Sequence, residues 1–462
     1  MPTNLDTSQI TDPDFRQFCD YLVGRMTEYQ VPGIAVGVLR DGQEYTAGFG
    51  ITNAEAPVPA DATTLFQIGS ISKTFTATVA MRLVEAGKLD LDVPVRTYLP
   101  DLKLKDEVAA AGVTMRHLFS HNAGWLGDYF DDTGSGDDAL TKIVANMAEL
   151  PQFTPLGETF SYNNAGFYLA GHVIETVTGK SYEANVKELI FDPLGMDRSF
   201  FFAHDAISRR VAVGHNVIDG KAVVARPWAL ARAAHAAGGI ASTVTDLLKY
   251  ARFQLGDGTT PDGTRLLSSE SLAEMQTPRT PAGSGAGAVG ISWMIKTVQG
   301  IKTARHSGGT NGQISIFLLA PERGTAITIL TNASRGGELT TDGIAWALKH
   351  YLGIEEPLPQ PLGLDADALT AYAGTYAAAL TVLELSVRDG DLWLQAIPQG
   401  GFPNKDSKPS GPPPPPVRLA VCADDLLYAL DPPFKNARGE FLRGSDGAIA
   451  WMRFGSRIAR RQ

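Results

Sequence analysis

Phe66-Gln67-Ile68-Gly69-Ser70-Ile71-Ser72-Lys73 sets a serine and a lysine three residues apart where an apolar helical repeat begins. Ile71, Phe75, Val79 and Leu83 recur at four-residue steps and Gly87 supplies a stop, so the spacing predicts a helix starting just after Gly69. Ser70 then falls in its first turn, with Lys73 one turn further along the same face. A helix N-terminus offers N–H groups and positive potential to a developing oxyanion, and a nearby amine can take the hydroxyl proton. The lysine does so only as a free base, which requires burial or a neighbouring cation. A lone Ser-x-x-Lys arises by chance about once in a chain of this kind. The motif needs company.

On the N-terminal side, residues 12–29 place Phe15, Phe18, Leu22, Met26 and Tyr29 on one helical face, with Asp12-Pro13 as the start. Residues 34–39 and 44–49 are strand-like runs around Asp41-Gly42, a hairpin turn pair. From Ser70 to about residue 280 most segments read as helices between Gly- and Pro-rich loops. Strand signals return at 289–298, 314–320 and 325–331, followed by a helix near 343–351. A sheet built from the two ends of this region, with a helical insertion between them, is the simplest assembly. That is α+β, not βαβ alternation.

Residues 355–365 carry Pro357, Pro359 and Pro361 and are expected to link a first domain, 1–354, to a second, 366–462. The second reads as all-β. Leu383, Leu385 and Val387 alternate with polar residues, Asp389-Gly390 turns the chain into 392–397, and runs at 417–422, 426–430 and 448–454 complete a small sheet or barrel. Pro412 to Pro416 is expected to form an exposed polyproline loop.

Two further segments join Ser70-x-x-Lys73. Gly157-Glu158-Thr159-Phe160-Ser161-Tyr162-Asn163-Asn164 precedes an apolar helix, and Arg305-His306-Ser307-Gly308-Gly309 is read as preceding a strand. In this order, with Val113–Gly124, Phe191–Met196 and Ala237-Gly238-Gly239 between and around them, they resemble the motifs of the serine β-lactamase and penicillin-binding-protein superfamily, in its class C-like esterase and peptidase branch. The resemblance covers residues from about 12 to 353. It implies an antiparallel sheet flanked by helices with a helical lobe. Tyr372-Ala373-Gly374-Thr375-Tyr376 is similar to the start of the small lipocalin-like barrels that follow the catalytic domain in several relatives.

The resemblance implies roles. Ser70 is the acylated nucleophile and Lys73 its proton acceptor. Tyr162 relays protons to the leaving group and then activates water, and Asn164 orients Lys73 and the substrate carbonyl. Read from the residues alone, Tyr162 and Asn164 are a helix-entry tyrosine and an N-cap. The oxyanion hole is expected from the backbone N–H groups of Ser70 and Gly309, with Gly308 and Gly238 beside the substrate. Trp125 and Tyr129 either line the site or pack in the core. The third motif departs from the Lys-Thr-Gly or Lys-Ser-Gly of β-lactamases. His306 is expected to stand where a lysine binds a substrate carboxylate, with a charge that varies around neutral pH. That leans the chain toward neutral esters or amides.

Composition narrows the rest. The 462 residues carry 40 Lys+Arg against 50 Asp+Glu, a net charge of −10, which argues against nucleic acid as partner. Cys19 and Cys422 exclude a disulfide framework and a Cys-rich metal site. His117 and His121 have metal-like spacing but no recognisable third ligand, so loop or helix packing is expected. No apolar run reaches 18 residues, and Met1 to Ile10 lacks signal-peptide character, so the cytoplasm is the expected compartment. The expected function is a serine hydrolase acting on a small-molecule or peptide ester or amide, without metal or cofactor. The alternatives are a peptide acyltransferase or cyclase of the thioesterase kind, a β-lactamase or DD-peptidase, and a catalytically silent binding module.

Overall fold

A computed structural model describes residues 4–228, 230–409 and 411–462. Helix Pro13–Tyr29 begins as expected, with the Asp12 carboxylate accepting from the Phe15 N–H at 2.8 Å. Strands Gly33–Arg40 and Gln43–Gly50 form a hairpin whose turn residues, Asp41 and Gly42, both have positive φ (52° and 74°). The first strand then pairs with Thr325–Thr331, at the other end of the region, in the register Ile34↔Thr331 to Leu39↔Ala326. Gln313–Ala320, Ile301–Thr310, Met294–Val298, Gly287–Val289 and Thr280–Ala282 follow outward, completing an eight-stranded antiparallel sheet. The sheet is built from both ends of the segment, as the sequence implies.

Both faces are covered. Ile316 and Leu318 join Phe15, Phe18 and Leu22 under the terminal helices Pro13–Tyr29 and Gly336–Leu352, while Phe317 and Leu319 face Phe75, Val79 and the helical lobe. This explains why Thr325–Thr331, though antiparallel, is buried at every position.

Helix Ser72–Glu85 is buried over Ser72–Met81, on more than its apolar face. Its threonines make this possible. Thr76 Oγ1 lies 2.8 Å from the Tyr182 hydroxyl and donates to the Ala236 carbonyl at 2.7 Å, and Thr78 Oγ1 lies 2.8 Å from the Tyr250 hydroxyl. The helix that carries Lys73 is thus fixed at the centre of the lobe.

The C-terminal domain is a closed barrel of eight antiparallel strands from Gly374 to Arg461, sealed by the pairing Tyr376↔Arg461. Tyr376, Leu385, Leu394 and Met452 fill its interior. Residues 355–365 are strapped to both units. Glu356 pairs with Lys296 of the sheet and Arg438 of the barrel, and Leu362 N–H donates to the Val421 carbonyl at 2.9 Å. The turn between Ile449–Phe454 and Arg457–Arg461 points at the first domain, where Ser456 accepts from the Tyr162 N–H at 2.9 Å. Among the described residues no helix is long and apolar enough to cross a membrane.

Candidate active site

Ser70 sits in a single 3-10 turn, Gly69–Ile71, that runs straight into the buried helix. It is half-buried and opens onto a cleft of about 590 Å³ that is also lined by Tyr162, Asn164, His306, Gly309 and Gly238. The first two motifs therefore meet the third across one cavity.

Lys73 is fully buried. Its Nζ lies 3.1 Å from Ser70 Oγ and donates to Asn164 Oδ1 (2.7 Å) and to the Ala237 carbonyl (2.6 Å). Burial, and secondly the Arg457 cation, pull its pKa well below the ordinary lysine value, with Asp128 opposing. A neutral amine has two N–H donors and one lone pair. Two carbonyl oxygens take the donors, so the lone pair is left for the Ser70 hydroxyl.

Asn164 occupies the cap position of helix Ala165–Thr178, but it does not cap it. Its neighbour does: Asn163 Oδ1 accepts from the Gly166 N–H at 2.8 Å. Asn164 is thereby free to face Lys73 with its oxygen and Asp128 with its nitrogen, which donates to Asp128 Oδ1 at 2.8 Å. The Tyr162 ring lies under Lys73 Nζ at 5.0 Å and stacks on His121 at 4.4 Å. Its hydroxyl makes no hydrogen bond within standard geometry. Burial raises its pKa well above the usual phenol range, while the Ser70 hydroxyl works the other way. It is a neutral phenol at rest.

The third motif lies within strand Ile301–Thr310 rather than ahead of a strand. Of this strand only Ile301–Arg305 pairs with Met294–Val298, so from His306 onward that edge is turned to Ser70. The approach is close. A Cβ on Gly308 would fall 1.9 Å from the Ile68 carbonyl oxygen, and one on Gly69 2.6 Å from Gly309 N. Glycine has no Cβ, which is why a poor strand former stands here.

Two expectations are corrected. His306 is not a partly charged group reaching for a carboxylate. Its ring is 2% exposed, its Nδ1–H donates to the Ser307 carbonyl at 2.7 Å, and burial with the neighbouring Lys73 pushes its pKa down to about 3. Trp125 is not a cleft residue: it is buried in the main core, and its carbonyl accepts from Asn163 Nδ2 at 3.0 Å. Gly238 does line the cleft, and its segment supplies the Ala237 carbonyl on Lys73.

The sequence reading missed Asp128 and Arg457, and read His121 only as packing. His121 has a positive φ of 56° and accepts from Asn163 N–H at 2.9 Å through Nδ1, supporting Tyr162 from beneath. Asp128 and Arg457 form an ion pair, Nε–Oδ2 2.5 Å and Nη2–Oδ1 3.1 Å, beside the catalytic group. Nothing in the local sequence marks Arg457, which lies 329 positions from Asp128 in another domain.

The Beta-lactamase family model matches residues 18–351. The chain belongs to that family. It is 33% identical over 363 residues to Penicillin-binding protein 4 of Amycolatopsis lactamdurans, covering 76% of this chain and 94% of the relative. The structure of SurE with D-Leu matches 96% of this chain and 99% of its own, with a TM-score of 0.73 and 26% identity, so the likeness takes in the barrel. D-amino acid amidase from Ochrobactrum anthropi SV3, complexed with L-phenylalanine amide, matches 73% of this chain and 99% of its own with a TM-score of 0.62 and 25% identity.

Proposed function

We propose that this family member is a serine hydrolase that cleaves a small amide, ester or peptide through an acyl-enzyme on Ser70. The observation that carries the reading is the buried Lys73 amine, 3.1 Å from Ser70 Oγ with two carbonyl oxygens, Asn164 Oδ1 and that of Ala237, taking its N–H groups. Ser70 Oγ attacks the carbonyl carbon while its proton passes to Lys73 Nζ. The backbone N–H groups of Ser70 and Gly309 receive the oxyanion. As the carbon–leaving group bond breaks, Tyr162 delivers its proton to the leaving atom and is reprotonated from the Lys73 ammonium. Water then attacks the ester carbonyl, its proton passing through Tyr162 to Lys73, and Lys73 returns a proton to Ser70 Oγ as the acyl–oxygen bond breaks, freeing the acid and the resting serine.

The substrate class follows from charge. His306 is neutral, and Arg457, the cation lining the cleft, is paired with Asp128. The site therefore favours neutral acyl donors over the carboxylate of a β-lactam. Aminoacyl amides or short peptides fit this reading, supported by relatives whose structures hold D-Leu and an amino acid amide. A second reading is transfer of the acyl group to an amine, for which the apolar Leu380 and Phe402, lining the cleft beside the Gly455–Arg457 turn, offer a surface to a larger acceptor.

Mass spectrometry after treatment with a serine-directed phosphonate tests the proposal. Ser70 should carry the adduct, and Ser70→Ala should abolish it and lower turnover by several orders of magnitude. An adduct on another serine, or none, would sink it. Turnover of acyl amides, thioesters and a chromogenic cephalosporin, with and without an added amine, then separates hydrolysis from transfer.

A further inference from the structure

The last hairpin of the barrel ends in the catalytic cleft, and we propose that its Arg457 is a positioning residue for the reaction. By holding Asp128, it fixes Asn164 against Lys73 and cancels the carboxylate charge beside the catalytic amine. The inference rests on the hydrolase reading above and adds to it an active site completed by the second domain.

The hairpin is anchored on the segment that carries Tyr162. Gly455 and Ser456 have positive φ (60° and 66°), as a tight two-residue turn requires. Ser456 accepts from the Tyr162 N–H at 2.9 Å, and Ile458 N–H donates to Ser161 Oγ at 3.4 Å. The guanidinium then lies over the Tyr162 ring, 4.8 Å from its centroid, and grips both oxygens of Asp128.

Asp128 fixes the Asn164 amide by elimination. An ionised carboxylate only accepts hydrogen bonds, so it faces the Asn164 nitrogen. The oxygen must then face Lys73, where it occupies one N–H. Were the amide turned over, its NH₂ would compete with Ser70 for the lysine lone pair.

The electrostatics point the same way. The titratable groups facing Lys73 are Tyr162, His121 and His306, all held neutral by burial, together with Asp128 and Arg457. Only the last two are charged, and they oppose each other. Without Arg457, a buried carboxylate would favour the ammonium form of Lys73 and silence it as a base. Without the Asp128 charge, the unpaired guanidinium would disfavour the ammonium still further.

The two single substitutions should therefore move the pH profile in opposite directions, which loss of fold cannot do. In the full chain, Arg457→Gln should shift the acidic limb of kcat/KM for a neutral ester upward by about one pH unit or more. Asp128→Asn should shift it downward, and the double variant should return it close to wild type. Arg457→Lys should recover part of the shift. Circular dichroism melts establish that each variant is folded. If the limbs coincide and only the plateau falls, Arg457 has a structural role and the proposal is overturned. It is equally overturned if KM rises for carboxylate-bearing substrates alone with the limb unmoved, because Arg457 would then be reading substrate charge. Phosphonate labelling of Ser70 in the wild type separates these failures from failure of the hydrolase reading itself.

Discussion

In the proposed mechanism Lys73 acts as a base only because its surroundings are dry and its donors are spoken for, so a change that keeps its charge should be as harmful as one that removes it. Guanidinium stays protonated at any working pH. Lys73→Arg is expected to lower kcat by several orders of magnitude, close to Lys73→Ala, and near-normal turnover in the arginine variant would refute the role. His306 makes a different point. Its pKa is pushed down to about 3 by burial, and that of His121 also falls well below the usual value. Both rings bind protons more readily when unfolded. Stability from these two groups is thus complete above the unfolded value of about 6.5 and is lost as pH falls below it, for His306 down to about 3. Imidazole proton signals of His306 and His121 should stay fixed between pH 8 and 5, a span in which an unperturbed ring titrates. The ratio of kcat/KM for a carboxylate-bearing substrate over a neutral ester should owe nothing to His306 in that range. A ring that titrates near 6.5 would restore the carboxylate-binding role rejected above. Ser70, Lys73 and Tyr162 were legible as types at fixed spacings. The charge state of His306 was not, because it depends on burial by segments far away in the chain.

At the level of elements, the strand Ile301–Thr310 does two jobs: it pairs with Gln313–Ala320 from Ala304 to Thr310 and presses on the turn that holds Ser70. Gly308→Ala puts a methyl into the Ile68 carbonyl, in a place where Ser315 Oγ already donates to the same oxygen at 2.8 Å. Neither backbone can yield without moving the nucleophile. We expect a loss of about 2–4 kcal/mol in urea unfolding and a fall in kcat larger than the change in KM. A stable, fully active alanine variant would show that the contact is looser than described. The same strand shows what the sequence withheld. Its motif with paired glycines read as preceding a strand rather than lying in one, since the use of the glycines lies in a contact with residues 68–70. Helix Pro13–Tyr29 and the hairpin at Asp41-Gly42 were legible because cap, apolar repeat and turn are local. The barrel strands Arg438–Arg443 and Arg457–Arg461 were not, having little apolar alternation to show. They are strands because the barrel must close, Tyr376 to Arg461.

For the molecule as a whole, the question is whether the barrel is an appendage or part of one cooperative unit. The joint is broad and mixed in character. Phe130 meets Phe402 edge-on with centroids 4.9 Å apart, Lys405 pairs with Asp131 at 2.9 Å, and Lys405 N–H donates to the Phe130 carbonyl at 2.7 Å. Arg453 lies over the Phe160 ring at 5.6 Å, and Arg457 closes on Asp128. On the catalytic side these contacts fall on two short stretches, residues 128–131 and 160–162, which also supply Asp128 and Tyr162 to the cleft. Order in the site therefore depends on the barrel being docked. We expect the full chain to unfold in a single calorimetric transition, with activity lost over the same interval. Among the contacts, the exposed Lys405–Asp131 pair should matter least, because solvent screens it. Phe402→Ala removes a half-buried aromatic contact and should cost about 1–2 kcal/mol, lowering the transition by a few degrees while keeping it single. Two resolved transitions in the wild type, with activity following only one, would show that the domains fold separately and that the barrel's place in the cleft is incidental.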